Sequence, residues 1–368
     1  MKRKNFLIWY TVCVVLVYSV AYVVIETGRK NEMEHNTSSI VFTENTVSGI
    51  QALNEITLPE TQAEAAVVID AKSGAVICEK NPDARLPMAS TTKIMTAKIV
   101  LDTLALDTVV TVPKEATLTE GSSIYLAENE KITVKDLLYG LLLESGNDAA
   151  VTLAYAVSGS TEEFAKLMNR TAVNMGLSNT SFANPHGLTA ENHFVSAYEL
   201  AYITMCAMKN ETFKEMVSSV RYISPSIDGT HTRYFYNHNK LLRMYDGAIG
   251  VKTGYTEASG RCLVSCAERN GEEYICVTLN DRNDWADHTA LLDYAFGNFD
   301  SFEVAPKNGF AVNIRGNRLT NPEPVYITVK DGDKPDISYE ITADKSGAKV
   351  SFKTSESIFG TFFLKNQE

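Results

Sequence analysis

Positive charge is in short supply in this 368-residue chain: 34 Lys and Arg stand against 45 Asp and Glu, a net charge of −11. Beyond Lys2-Arg3-Lys4 there is no basic run, which excludes the basic stripe that a nucleic-acid partner needs. Metal ligands are equally thin. No CxxC pair occurs, and His231, His238 and His288 lack ligand spacing, so neither a metal nor another cofactor is expected. Cys13 lies in an apolar run and leaves an odd five: Cys78, Cys206, Cys262, Cys266 and Cys276. A chain this long can bury a core without a disulfide scaffold. Cys262 and Cys266 flank alternating apolar positions and read as small core residues. There is no internal repeat, no low-complexity tract, no GxSxG and no visible Ser-His-Asp arrangement.

What is present divides the chain into four stretches. Residues 1–30 carry the basic head and then an uncharged apolar run from Phe6 to Ile25. Twenty residues at about 1.5 Å each span about 30 Å, enough to cross a bilayer. Ser19-Val20-Ala21 fits a cleaved signal, whereas continuation through Tyr22, Val23, Val24 and Ile25 favours a retained anchor. Either way the basic head stays inside and the body is exported. Residues 31–60 are polar and read as a linker. A body over 61–298 and a β-rich C-terminal domain over 299–368 complete the expected organisation.

Within the body, AAVVIDAKSGAVICEK reads as two strands around Lys72-Ser73-Gly74. From Ser90, the residues Ile94, Met95, Ala97, Ile99, Val100 and Leu104 recur at helical spacing. Further helical patterns cover Val134–Leu143, Asp148–Val157, Thr161–Met175 and Trp285–Phe296, and strands are expected between Ala248 and Leu279. After residue 300, β-favouring runs at Val325–Val329, Ile337–Ile341 and Lys349–Phe352 alternate with turns.

Three short motifs follow in order: Ser90-Thr91-Thr92-Lys93, Ser145-Gly146-Asn147 and Lys252-Thr253-Gly254. A serine hydroxyl needs an adjacent base. On a helix, position i+3 shares a face with position i, so Lys93 can reach Ser90. About one SxxK arises by chance in a chain this long. One such decoy is Ser346-Gly347-Ala348-Lys349, beside a turn glycine. Ser145-Gly146-Asn147 alone reads as a turn between helices, and Lys252-Thr253-Gly254 alone as a strand ending in a turn, but the ordered triple points to one site.

The triple resembles the signature of serine β-lactamases and penicillin-binding proteins. With LPMASTTKIMTA, LLLESGNDAA, FANPHGLTAENHFVSAYELA and KTGYTEASGRC, residues 60–297 resemble the D-alanyl-D-alanine carboxypeptidase family of low-molecular-mass penicillin-binding proteins. That resemblance implies an α/β (α+β) fold, with an antiparallel sheet flanked by helices and a helical subdomain holding Ser145. It implies Ser90 as the acylated nucleophile, Lys93 as its base, and Ser145 and Asn147 on the proton-relay side. Lys252, Thr253 and Gly254 would meet the substrate carboxylate, and the backbone N–H groups of Ser90 and Tyr255 would form the oxyanion hole. The implied partners are the D-Ala-D-Ala end of a peptidoglycan stem peptide, β-lactams as covalent inhibitors, and the cytoplasmic membrane through the N-terminal segment. His186 is expected to be structural, and Arg282 has no assigned role. A serine β-lactamase and an inactive wall-binding scaffold are the rival readings. The first is disfavoured by SGN in place of SDN, the second by the intact Ser90, Lys93, Asn147 and Lys252.

Overall fold

The computed structural model describes residues 59–309 throughout, and then residues 311–314, 317–321, 323–330, 338–343, 347–353 and 358–365. The expected anchor over 1–30 and most of the 31–60 linker lie outside the described residues. Among the described residues, no helix is long and apolar enough to cross a membrane.

The first strand, β1 (Ala65–Asp70), is buried along its whole length. This is the behaviour of a continuous apolar run covered on both faces. It turns back where expected: Asp70 Oδ1 accepts from the N–H groups of Lys72 at 2.7 Å and Ser73 at 2.9 Å. Gly74 takes φ 74° in that turn, and β2 (Val76–Lys80) follows. The chain then passes through a 3-10 turn, Ala89–Thr92, into α1 (Lys93–Thr103). The helix was expected to begin at Ser90, and its α-helical part begins three residues later. The hydroxyls of Thr91 and Thr92 donate to the carbonyls of Met88 at 2.6 Å and Ala89 at 2.8 Å, three residues back. Those bonds tighten the turn to the 3-10 period.

A small hairpin, β3 (Val109–Thr111) with β4 (Lys131–Thr133), leads into α2 (Val134–Leu143), α3 (Asn147–Ser158) and α4 (Thr161–Asn174). Thr133 caps α2 by accepting from the N–H of Asp136, and Ser160 caps α4 by accepting from that of Glu163. Then come α5 (Ala197–Met208) and α6 (Glu211–Ser218), and a hairpin of β5 (Arg221–Pro225) and β6 (Thr232–Tyr236). The strands β7 (Ala248–Thr256), β8 (Gly260–Arg269) and β9 (Glu272–Leu279) and the helix α7 (Asp284–Asn298) complete the first unit.

The central sheet is antiparallel, in the order β2-β1-β9-β8-β7. Successive strand residues point to opposite faces. Ala65, Val67, Ile69, Val264, Ile275 and Val277 accordingly join the main core with α1, α2 and α5. The alternate residues meet α7. Tyr274 packs edge-on against Phe296 at 4.8 Å, and Thr278 Oγ1 lies 3.0 Å from His288 Nε2. An antiparallel sheet flanked by helices on both faces is therefore the architecture, as the α/β reading expected.

The chain divides into two compact units at Asn298/Phe299. In the second, β10 (Phe299–Ala305) pairs with β13 (Val325–Lys330), and β11 (Ala311–Ile314) with β12 (Asn317–Thr320). A separate three-stranded sheet joins β14 (Ser338–Ala343), β15 (Gly347–Lys353) and β16 (Ile358–Lys365). Lys349 of the SxxK decoy sits within β15, paired with Thr342, while Ser346 lies outside the described residues.

Candidate active site

Three elements converge on Ser90. The 3-10 turn presents it, the α2–α3 connection supplies Ser145, the start of α3 supplies Asn147, and β7 runs alongside. The spacing of Ser90 and Lys93 does what a helical i, i+3 pair should: Lys93 Nζ lies 2.9 Å from Ser90 Oγ. The same nitrogen donates to Asn147 Oδ1 at 2.7 Å and to the His186 carbonyl at 2.6 Å. Asn147 is itself fixed, since its Nδ2 donates to the Glu120 carbonyl and its backbone N–H to that of Ser122, each at 2.7 Å.

Lys93 has no exposed surface. Burial holds its pKa well below the usual 10.5, and the charge of Lys252 pushes the same way. The buried Asp148 carboxylate opposes them. Desolvation disfavours the ammonium, and a second cation adds to the penalty. The side chain is thereby suited to hold a free amine lone pair against a hydroxyl. Asp148 accepts from Ser123 Oγ at 2.7 Å and from the N–H groups of Ile124 and Leu126, each at 3.1 Å, which binds the 120s segment to α3.

Ser145 takes φ 62°, a left-handed conformation that costs a non-glycine residue about 1–2 kcal/mol. Its Oγ is buried and has no hydrogen-bond partner among the described residues. Lys252, 2% exposed, has its pKa lowered to about 7 by burial, against the charge of Glu144. Its Nζ donates to the Thr253 carbonyl at 2.9 Å. Gly254 lies against the turn that carries Ser90. A Cβ there would stand 3.0 Å from Ser90 N and 3.1 Å from Ala89 Cβ, so the approach of β7 depends on glycine. Because β7 ends the sheet, one side of its backbone is unpaired within it. The Tyr255 side chain is exposed.

The 184–188 loop closes the other side. Asn184 Oδ1 accepts from the N–H groups of His186 at 3.2 Å and Gly187 at 2.7 Å, and Thr96 Oγ1 donates to the Pro185 carbonyl at 2.7 Å. The His186 ring accepts from Leu188 N–H at Nδ1, and burial beside Lys93 pulls its pKa down to about 3. Its carbonyl, rather than its ring, touches Lys93. Arg282 is exposed.

Sequence reasoning passed over two residues of this neighbourhood, Asp148 and His193. His193 is buried, its Nε2 2.9 Å from Thr92 Oγ1 and its Nδ1 accepting from the Ala183 N–H at 2.9 Å. Nothing local marks it, because its partner is 101 positions away. Cys262 pairs in register with Gly254, and its Sγ donates to the Pro87 carbonyl at 3.6 Å. Burial pushes that thiol up to about 11. Among the described residues no group of three or more His, Cys, Asp or Glu could hold a metal ion.

Comparison with known proteins bears on this geometry. A family model described as D-alanyl-D-alanine carboxypeptidase matches residues 52–283. The chain is 36% identical over 323 residues to the D-alanyl-D-alanine carboxypeptidase DacF of Bacillus subtilis, spanning 83% of this chain and 82% of that one. The crystal structure of the Streptomyces K15 DD-transpeptidase is similar at a TM-score of 0.63 and 36% identity, over 66% of this chain and 100% of that one. Penicillin-binding protein 5 from Haemophilus influenzae is similar at a TM-score of 0.71 and 26% identity, over 84% and 98%.

Proposed function

The chain belongs to the D-alanyl-D-alanine carboxypeptidase family and is a serine peptidase, and from that premise we propose that Ser90 is the nucleophile that cleaves the D-Ala-D-Ala bond of a peptidoglycan stem peptide. The observation that carries the reading is the buried Lys93 amine, 2.9 Å from Ser90 Oγ with its pKa pulled well down. Ser90 Oγ gives its proton to neutral Lys93 and bonds to the carbonyl carbon of the penultimate D-alanine. The N–H groups of Ser90 and Tyr255 take the developing oxyanion. The C–N bond then breaks, and the proton held at Lys93 passes to the departing amine by way of the buried Ser145 Oγ. Water attacks the acyl-enzyme with the proton transfers reversed.

Lys252, Thr253 and Gly254 take the terminal carboxylate. A carboxylate beside Lys252 favours its charged form, so substrate restores the proton that burial at a pKa of about 7 makes easy to lose. A β-lactam presents the same carbonyl and carboxylate and acylates Ser90. Glu144 is occupied, with Oε1 accepting from the Tyr236 N–H at 2.5 Å and Oε2 3.2 Å from His238 Nε2. The body works outside the cytoplasmic membrane, held there by the apolar segment within residues 1–30, with 31–60 as spacer, 61–298 as catalytic domain and 299–368 as a β-rich domain.

The experiment is D-alanine release from a diacyl-Lys-D-Ala-D-Ala tripeptide by the full chain, beside Ser90→Ala. Release that vanishes with Ser90 supports the reading. A folded wild-type protein that gives neither release nor a penicillin adduct refutes it, and an adduct without release redirects the acyl group to an acceptor other than water.

A further inference from the structure

We infer that His193 is a positioning residue that aims the Ser90 N–H at the reaction's oxyanion, acting through Thr92 and the Ala89 carbonyl. The inference rests on the proposed role of Ser90 and its N–H. The Ala183 N–H donates to His193 Nδ1 at 2.9 Å, so the neutral ring carries its proton on Nε2. That nitrogen lies 2.9 Å from Thr92 Oγ1 and donates to it. The threonine hydroxyl must then spend its own proton elsewhere, and it does, on the Ala89 carbonyl at 2.8 Å. One assignment of protons satisfies the whole sequence, and it runs in one direction: from the 183 backbone, through the ring and the hydroxyl, to the peptide that precedes the nucleophile.

That peptide joins Ala89 C=O to Ser90 N–H. In a trans peptide the two groups point opposite ways. Holding the carbonyl on Thr92 therefore turns the N–H away from Thr92, and β7 lies close to that nitrogen, where a Cβ on Gly254 would approach it to 3.0 Å. The orientation has to be imposed. Ala89 has φ 47°, a conformation that alanine adopts only when its surroundings enforce it. The Thr92 hydroxyl does so, and Gly187 leaves the space for it, since a Cβ at 187 would come within 1.9 Å of the Ala89 oxygen. The bare Gly187 backbone admits the carbonyl, and the His193–Thr92 pair holds it by hydrogen bonding. Burial keeps the His193 pKa down to about 4, with Lys93 adding to the effect, so the acceptor on Nδ1 persists.

The test uses the full chain, with folded sites counted by stoichiometric penicillin binding. Saturating the acylation reaction separates the acylation rate constant from the preceding binding constant. Thr92→Val and His193→Leu should each lower the rate constant about tenfold while leaving the binding constant within about twofold, since a misaimed donor is lost only to the transition state. Thr92→Ser and His193→Gln keep a hydroxyl or an amide in place and should recover most of the rate. The double variant Thr92→Val/His193→Leu should be no slower than Thr92→Val alone, because the ring acts through the hydroxyl. The infrared band of the acyl carbonyl should move to higher wavenumber in Thr92→Val, reporting a weaker hydrogen bond from the Ser90 N–H. A wild-type acylation rate per titrated site in Thr92→Val, an unmoved carbonyl band, or fully additive losses in the double variant would each overturn the inference alone. A folded wild-type protein that forms no adduct would overturn the Ser90 reading and this inference with it.

Discussion

Gly187→Ala puts one methyl group where the chain has no room for it. The new Cβ would stand 1.9 Å from the Ala89 oxygen, 2.4 Å from the Ala89 carbonyl carbon and 2.9 Å from Ser90 N. All three atoms are backbone, so no side chain can swing aside. Carbon atoms in contact rest about 3.5–4.0 Å apart, and the turn would have to retreat by well over about 1 Å. Overpacking of this kind costs about 1–3 kcal/mol. Gly187 also has φ 95°, which adds about 1–2 kcal/mol for any side chain. The total, about 2–5 kcal/mol, falls within the 5–15 kcal/mol stability of an ordinary domain, so a folded fraction should survive. What that fraction should lose is acylation rate, because the displaced atoms include the Ser90 N–H. A misplacement of about 1 Å costs about a hundredfold. Gly176 is the control, with φ 78° and nothing within 4 Å of a Cβ. Gly176→Ala should cost about 1–2 kcal/mol of backbone strain and leave acylation unchanged. Urea unfolding gives the stabilities, and penicillin acylation per titrated site gives the rates. If Gly187→Ala acylates at the wild-type rate and unfolds where Gly176→Ala does, the steric argument is wrong.

The charges around Lys93 predict opposite movements of one pH limb. Asp148 raises its pKa and Lys252 lowers it, so Asp148→Asn should move the acidic limb of the acylation profile to lower pH and Lys252→Gln to higher pH. Limbs that move together would contradict the assignment of Lys93 as base. Acid should also unfold the protein through His288, which sits fully buried between Ser265 Oγ at 2.6 Å and Thr278 Oγ1 at 3.0 Å. Its pKa falls from 6.5 in the unfolded chain to about 3 in the fold, so the unfolded state binds the extra proton between those values and stability drops as pH falls through them. The loss is at most about 5 kcal/mol. Urea midpoints between pH 7 and pH 4.5 should fall less steeply in His288→Gln than in wild type, and parallel curves would refute this.

Much of the site could be read from spacing alone, because its first contact is local. Ser90 and Lys93 are three residues apart, and any helical turn brings them together. The same logic placed the helix start three residues early, since period counting does not see the Thr91 and Thr92 hydroxyls pulling the turn into a 3-10 form. α2 was legible over Val134–Leu143, where Thr133 and Asp136 mark its beginning. α5 was not read as a helix: AYELAYITMCAM is apolar nearly all round and shows no single stripe. The strands between Ala248 and Leu279 were legible as a region, while the β1–β9 pairing joins residues more than 200 positions apart and leaves no local trace. His193 and Asp148 went unnoticed for a related reason. A lone histidine or aspartate acquires its task only from the atoms that folding sets beside it, and here those belong to the Ser90 turn and the 120s segment.

Cys262 has a chemical consequence of its own. Sulfur is intrinsically the better nucleophile, yet at a pKa of about 11 only about one Cys262 in ten thousand is thiolate at pH 7. The strand that carries it lies one position across from Gly254, against the turn of Ser90. Cys262 is also 1% exposed, so a reagent that reaches the Ser90 turn meets a thiol closed off by packing as well as held protonated. The packing that buries the sulfur thus removes it as a competitor twice over, by access and by proton affinity.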